Sequence, residues 1–466
     1  MKIHFLGANR QVTGSRYCLE AGGSKILIDC GLFQERSYRE RNWAHFPVAV
    51  DQLDAVLLTH VHIDHCGLLP RLAAAGYRGP IYMTEPSKDL LGMMLRDTAR
   101  IQQEDAAYKK RRHRKESRTP PRPVQPLYTE EDVEATLPLA RGVPYGTALE
   151  VSDRFSVTFH DAGHILGSSM LEIEAQGQEE NRTLVFSGDI GLENKPIVRD
   201  PTFFSRADYV VMESTYGDRD HAASGDVEDQ LAAVINRTVD KGGKLVIPTF
   251  AVERAQELIY HLARLLLADR IPQLPVYLDS PMAINATEVF KRHQDCYDSQ
   301  AWQLIKQGEE PFNFPGLVMA RSSDESRAIN QVQGPAIIMS TSGMCTAGRI
   351  KHHLRQNIER PESTILFVGY QAHGSLGRQI VEGKEEVRIH GRNYDVKAEV
   401  IQLSGFSGHA DQSGLVRWIS HFQDAPRQVF LTHGDAEAAE CLRDRIRSES
   451  GWPVAIPEYG EIVDLG

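Results

Sequence analysis

Cysteine is scarce in this chain of 466 residues: six, at positions 18, 30, 66, 296, 345 and 441, with no CxxC pair. Scattered thiols in so long a chain do not form a disulfide framework, and they point to a reducing cytoplasm. No apolar run reaches the roughly 18 residues of a membrane span. The opening "MKIHFLGANRQVTGS" has no signal-peptide core and reads as an immediate strand and loop. Positive charge is in deficit, with 52 Lys+Arg against 63 Asp+Glu and a net charge of −11. Any surface for a polyanion must therefore be local. There is no tandem repeat, and no low-complexity tract beyond one basic stretch.

The length exceeds what one hydrophobic core usually supports, so two domains are expected. Short β-rich runs separated by Gly-containing turns open the chain: "KIHFLG", "RYCLEAG", "SKILIDCG" and "DAVLLTH". Helical composition follows in "CGLLPRLAAAGY", then a strand in "GPIYMTEP", then helical composition again over 88–107. This alternation implies layered α/β architecture. The stretch "KKRRHRKESRTPPRP" (109–123) is basic, then Pro-rich, and reads as a loop. From about 218 helices and apolar strands alternate in a doubly wound pattern, and from about 396 short strands resume. The simplest arrangement is one domain (1–217 and 396–466) interrupted by a second (218–395).

"LLTHVHIDHCGLL" (57–69) crowds three histidines and an aspartate behind an apolar run, where a strand gives way to a helix. In an extended segment side chains at i and i+2 point the same way, so His60 and His62 can grip one ion. Asp64 and His65, at the turn, can face a second. A lone histidine here would be an ordinary polar turn residue; the four together match the imidazole and carboxylate donors that zinc takes. His164 in "HDAGHILGSS", Asp189 in "VFSGDIG" and His433 in "FLTHGD" each stand in a loop beside an apolar strand. They can complete the set, with one aspartate bridging two metals about 3.5–4 Å apart that activate a bridging hydroxide.

Asp29 in "LIDCG", the run His60 to His65, His164 and Asp189 resemble the four successive motifs of the metallo-β-lactamase superfamily, and His433 resembles its last ligand. That resemblance implies an αββα sandwich and gives Asp29 the task of orienting the histidines without touching metal. "VVMESTYGDRDH", "SGFSGHADQ" and "FLTHGD" resemble motifs A, B and C of the β-CASP nucleases, with Glu213, His409 and His433 at their key positions. "PTFAVERAQEL", "DSPMA", "MSTSGMCTAGR" and "VGYQAHGSLGR" extend the likeness through the inserted domain. The chain starts on its first strand and ends at Gly466, so it resembles the compact bacterial form of this family.

The resemblance implies a zinc-dependent ribonuclease of the cytoplasm, cutting RNA phosphodiesters endonucleolytically in the cleft between its domains; 5′-exonucleolytic cutting stays open, and the compact form argues against a processive one. Two Zn2+ are expected, and Mn2+, cobalt or iron would suit the same donors. Asp64, Glu213 and His409 are the catalytic candidates: His409 would protonate the departing 3′-oxygen, and Glu213 would orient that ring and raise its pKa. For phosphate and RNA contact the candidates are Ser340, Thr341 and Ser342 at an expected helix start, Arg254 and Arg378, and the basic residues Lys109, Lys110, Arg111 and Arg112. RNA is the expected partner; a homodimer is compatible with the reading, and a membrane is not. Rival readings are a hydrolase of a small ester, thioester or lactam, a DNA-directed nuclease, and a non-catalytic RNA-binding scaffold. Filled ligand positions argue against the last, and a large inserted domain above the metals argues against small substrates.

Overall fold

Burial alternates along "FSVTFHD": Phe155, Val157 and Phe159 are buried while Ser156, Thr158 and His160 are half-exposed. A strand of this kind lines a core with one face. The computed structural model describes residues 1–466 apart from 118, 120–122, 178–179, 222–225, 370 and 373. Parts of two stretches quoted above, Tyr370 and His373 of "VGYQAHGSLGR" and positions in the Pro-rich segment, lie outside the described residues.

One unit comprises Met1–Lys195, Asp200–Asp220 and His409–Gly466. It holds two seven-stranded sheets. In the first, the strands Ile462–Asp464, Lys2–Gly7, Arg16–Ala21, Ser24–Ile28, Ala55–Leu57, Ile81–Thr84 and Ala140–Val143 lie side by side. In the second the order is Val454–Ala455, Gln428–Thr432, Tyr209–Glu213, Asn181–Phe186, Ser169–Gln176, Phe155–Asp161 and Leu149–Ser152. Phe5, Tyr17, Ile28 and Leu57 of the first sheet share one core with Phe159, Leu171, Phe186 and Phe430 of the second. The rings of Phe5 and Phe430 lie 5.0 Å apart, those of Tyr17 and Phe186 5.8 Å. The outer face of the second sheet is covered by Gln412–Ile419 and Ala436–Ser450, through Leu415, Trp418, Leu442 and Ile446. The helix Glu85–Lys115 packs along Ile81–Thr84 and Ala140–Val143. The layers are therefore helix, sheet, sheet, helix, as expected.

The second unit comprises Pro196–Arg199 and His221–Gly408. It holds a six-stranded parallel sheet, in the order Leu317–Met319, Val276–Asp279, Ala336–Ser340, Lys244–Pro248, Thr364–Val368 and Glu399–Leu403, and a separate antiparallel pair, Glu386–Ile389 with Arg392–Asp395. "AIIMS" and "TILFV" are buried at every position, which is why they read as continuous apolar runs rather than alternating ones. Glu399–Leu403 pairs with Thr364–Val368 in this sheet, so the chain returns to the first unit at His409. The expected return at 396 falls too early, because a short strand carries no mark of the sheet it joins.

The basic stretch also differs from expectation. Lys109–Lys115 is the end of a helix that begins at Glu85. Lys and Arg are good helix formers, and cations suit a helix C-terminus, so the charge that suggests a loop is compatible with the last turns. No helix among the described residues is long and apolar enough to cross a membrane.

Candidate metal centre and active site

Parallel strands end on one edge of the sandwich, and the loops beyond those ends build the site. In the first sheet Ser24–Ile28 and Ala55–Leu57 run parallel, and Asp29 and His60 lie just beyond their ends. In the second sheet Asn181–Phe186, Tyr209–Glu213 and Gln428–Thr432 run parallel and deliver Asp189, Glu213 and His433. Ligands commonly sit outside the carboxyl ends of such strands. His164 comes from the connection between the antiparallel strands Phe155–Asp161 and Ser169–Gln176, where Ser168 Oγ accepts the His164 and Ile165 amides.

The segment His60 to His65 is clamped by main-chain hydrogen bonds from the loop after Ile28 and from Ser15, just before the strand Arg16–Ala21. Cys30 N donates to His65 O at 2.7 Å, Leu32 N to Ile63 O at 2.9 Å, and Ser15 N to Asp64 O at 2.8 Å. A Cβ on Gly31 would stand 1.6 Å from Asp64 O, so only glycine lets the two segments meet.

Hydrogen bonding to the far side of three of the rings fixes which nitrogen faces the centre. Asp29 Oδ2 lies 2.7 Å from His65 Nδ1, and its Oδ1 accepts the Thr59 amide at 2.8 Å. Thr59 Oγ1 donates to Asp29 and lies 3.1 Å from His60 Nδ1, whose proton it accepts. Thr215 Oγ1 donates to His433 O at 3.0 Å and so accepts from His433 Nδ1 at 3.1 Å. His60, His65 and His433 thus turn Nε2 inward. His62 turns Nδ1 inward, 3.1 Å from His60 Nε2 and 3.0 Å from His164 Nε2.

Asp189 stands between two groups. Its Oδ2 lies 3.3 Å from His60 Nε2 and 3.5 Å from His164 Nε2. Its Oδ1 lies 3.2 Å from His65 Nε2 and 3.6 Å from His433 Nε2. Asp64 Oδ2 joins the second group, 3.5 Å from His433 Nε2. His60, His62, His164 and Asp189 form one convergent cluster, and Asp64, His65 and His433 another, each with donor atoms within 4.8 Å of one another.

The residues fit divalent cations. Burial, with neighbouring imidazoles adding to it, holds His60 down to about 4 and His62 to about 3, and holds His164 well below the ordinary range. Neutral rings offer lone pairs. Asp189 Oδ1 is buried and receives no hydrogen bond, while His65 Nε2 and His433 Nε2 approach to 3.1 Å beside it. Burial opposes charge on His65, yet Asp189 and Asp29 push its pKa well above the usual imidazole value. Acceptors so gathered need a proton or a metal between them. Seven of the expected ligands therefore meet at one place, and Asp29 takes the outer position against His65.

His409 and Glu213 adjoin this centre. Glu213 is buried and accepts the Ile190 amide at 2.5 Å. Both its oxygens lie 3.1 Å from His409 Nδ1, and His409 Nε2 points back to Asp189 Oδ2 at 4.0 Å. Sequence reasoning misses Thr59 and Thr215; the one available signal is a hydroxyl directly before His60 in "LTH" and after Glu213 in "EST".

The expected phosphate contacts fare differently. Ser340, Thr341, Ser342, Arg254 and Arg378 belong to the second unit. Ser340 is buried, with its hydroxyl on Asp279 O at 2.9 Å, and Thr341 Oγ1 donates to Ser280 Oγ at 2.9 Å. No helix starts at Ser342: the next one begins at Ile350, and Ser342 Oγ lies 3.1 Å from Thr346 Oγ1. The expected helix-start phosphate cradle is absent here because turns intervene and the hydroxyls are taken by side-chain and main-chain partners. Arg254 pairs with Glu257 at 3.0 Å and Arg378 with Glu382 at 2.7 Å. Lys109, Lys110, Arg111 and Arg112 are exposed, with Arg112 on Glu116 at 2.8 Å.

Three family models match in succession: the metallo-β-lactamase superfamily over residues 12–247, the β-CASP domain over 255–380, and a Zn-dependent metallo-hydrolase RNA specificity domain over 393–457. Ribonuclease TTHA0252 of Thermus thermophilus is 38% identical, with 100% of each chain covered. Transcription termination factor FttA of Methanocaldococcus jannaschii is 32% identical over 95% of this chain and 68% of its own. A crystal structure of an Enterococcus faecalis protein of unknown function matches the fold with a TM-score of 0.55, at 14% identity, over 99% of both chains. A histidine and aspartate cluster suited to divalent metal, on strand ends of an αββα sandwich with an inserted parallel α/β unit, thus agrees with the matched models: the chain belongs to the metallo-β-lactamase superfamily, in its β-CASP branch.

Proposed function

We propose that this chain is a two-zinc ribonuclease that hydrolyses RNA phosphodiesters and leaves 5′-phosphate and 3′-hydroxyl ends. The observation that carries this reading is the His409–Glu213 pair beside the two convergent clusters, with His409 Nε2 facing the shared Asp189. The substrate class follows from the relative named a ribonuclease and from the match to an RNA specificity domain.

Divalent metals held by His60, His62, His164 and Asp189, and by Asp64, His65, His433 and Asp189, would supply a water of lowered pKa and neutralise the phosphate. Asp29, Thr59 and Thr215 hold the rings so that their lone pairs stay aimed inward. Glu213 keeps the Nδ1 proton of His409 in place and favours the imidazolium. His409 then gives its Nε2 proton to the departing 3′-oxygen, which is a poor leaving group without one.

The test is a circular and a linear 5′-labelled RNA of one sequence, incubated with zinc-replete protein. Cutting of the circle is expected and establishes endonucleolytic action; cutting of the linear RNA alone confines the enzyme to ends. Cutting of neither, together with turnover of a thioester, overturns the reading in favour of a small-substrate hydrolase.

A further inference from the structure

The helix Glu85–Lys115 runs from the metal-site loops to a basic tip. At its start, Thr84 Oγ1 and Ser87 Oγ both donate to Gly167 O, at 2.6 and 2.8 Å, three residues after His164. A Cβ on Gly167 would lie 2.6 Å from Ser87 N, so the helix start and the His164 loop touch. The helix has 31 residues. At 1.5 Å per residue, Lys109 stands roughly 35 Å and Lys115 about 45 Å from the first turn.

The last turns expose their cations, with only His113 half-buried among them. Ala106 is the final buried residue of the helix, and Lys109–Arg112, Arg114 and Lys115 are exposed. Six formal positive charges stand within these seven residues. Lys110 and Arg114, Arg111 and Lys115, Arg111 and Arg114, and Arg112 and Lys115 are like-charged neighbours at i+3 or i+4, which destabilise a helix. Against them stands the pair of Arg112 with Glu116. A surface with this built-in repulsion is relieved by a polyanion. Tyr108, 60% exposed beside the cations, adds a flat face on which a base can stack.

Resting on the ribonuclease reading, we infer that this tip binds the RNA backbone at a distance from the cut, so that the helix sets a minimum length for efficient substrates. A stacked strand rising about 3.4 Å per nucleotide covers 35 Å with roughly ten nucleotides. RNAs shorter than this reach the metals but not the tip, and longer ones gain both contacts.

The experiment uses unstructured RNAs of 6 to 24 nucleotides, zinc-loaded wild-type protein, and a variant with Lys109, Lys110, Arg111, Arg112, Arg114 and Lys115 each changed to Gln, which keeps helix propensity. Cleavage (kcat/KM) and binding (fluorescence anisotropy) are read in parallel, at about 50 and 200 mM salt. In wild type the ratio of kcat/KM for a 20-mer over a 6-mer should exceed tenfold, rising near ten nucleotides and shrinking with salt. In the variant the ratio should fall towards one. An unchanged ratio, or a wild-type profile without a step, overturns the inference. The same ratio in both proteins, with only the wild type sedimenting on phosphatidylserine vesicles, assigns the tip to a membrane surface instead and also overturns it. If no RNA of any length is cut, the ribonuclease reading fails, and the anisotropy step still decides whether the tip measures RNA.

Discussion

Both carboxylate oxygens of Glu213 lie 3.1 Å from Nδ1 of His409. Burial disfavours charge on this ring, but the carboxylates of Glu213 and Asp189 outweigh it and push its pKa up to about 9. In the proposed mechanism the imidazolium is the proton donor, so its share is full at neutral pH and falls as pH rises through about 9. Activity should therefore decline on the alkaline side near that pH. In Glu213→Gln the alkaline limb should move to lower pH, since the raising carboxylate is gone. Rate profiles from about pH 6 to 11 check this, and a limb that does not move removes Glu213 from the proton-donor pair.

His409 and His433 should fail for different reasons. His409→Ala should keep its metals and fold normally yet cut about 10²–10⁴-fold more slowly. That deficit should shrink on a nitrophenyl phosphodiester, whose leaving oxygen needs no proton. His433→Ala should lose metal from one cluster, and activity with it. Elemental analysis beside the two substrates separates these outcomes; loss of zinc from His409→Ala would make it a ligand.

Asp189 serves both clusters through separate oxygens, so Asp189→Ala should lower occupancy of both sites from about two metals per chain. Asp29→Asn keeps the shape but weakens the partner of His65, and metal affinity should fall about 10–100-fold. Metal content after dialysis against graded chelator is the measurement. Full retention in Asp189→Ala would disprove the bridge.

Gly31→Ala tests the clamp behind the histidines. The new methyl meets Asp64 O and the Ser15 amide, and neither main-chain segment can yield without moving the ligands. A loss of about 1–3 kcal/mol in stability is expected, with metal content reduced as well. Thermal melts with and without zinc read both effects; an unaltered zinc-induced rise in Tm would show that the loop has other room.

The features legible in the sequence are those that local order encodes. The crowding of His60, His62, Asp64 and His65 shows because one six-residue stretch, a loop running into the short helix Ile63–Cys66, carries all four. Strand identity shows where Phe155, Val157 and Phe159 alternate with polar neighbours, and where "AIIMS" and "TILFV" are apolar throughout. The basic run reads as a loop only while its charge is weighed without the ease with which Lys and Arg continue a helix. Ser340 looks available to a phosphate because its type is visible in a sequence, whereas its burial and its bond to Asp279 O are not.

By itself, then, the sequence determined the donor types, their places after apolar strands, and the interruption of one α/β domain by another, since each depends on neighbours along the chain. Only the tertiary structure decided that Asp189 offers one oxygen to each cluster, that Thr59 and Thr215 settle which ring nitrogens face inward, and that Glu399–Leu403 belongs to the inserted sheet. These relations join residues far apart in the chain. Parallel strands bring their carboxyl ends to one edge, and a hydrogen bond across that edge depends on packing that no local stretch contains.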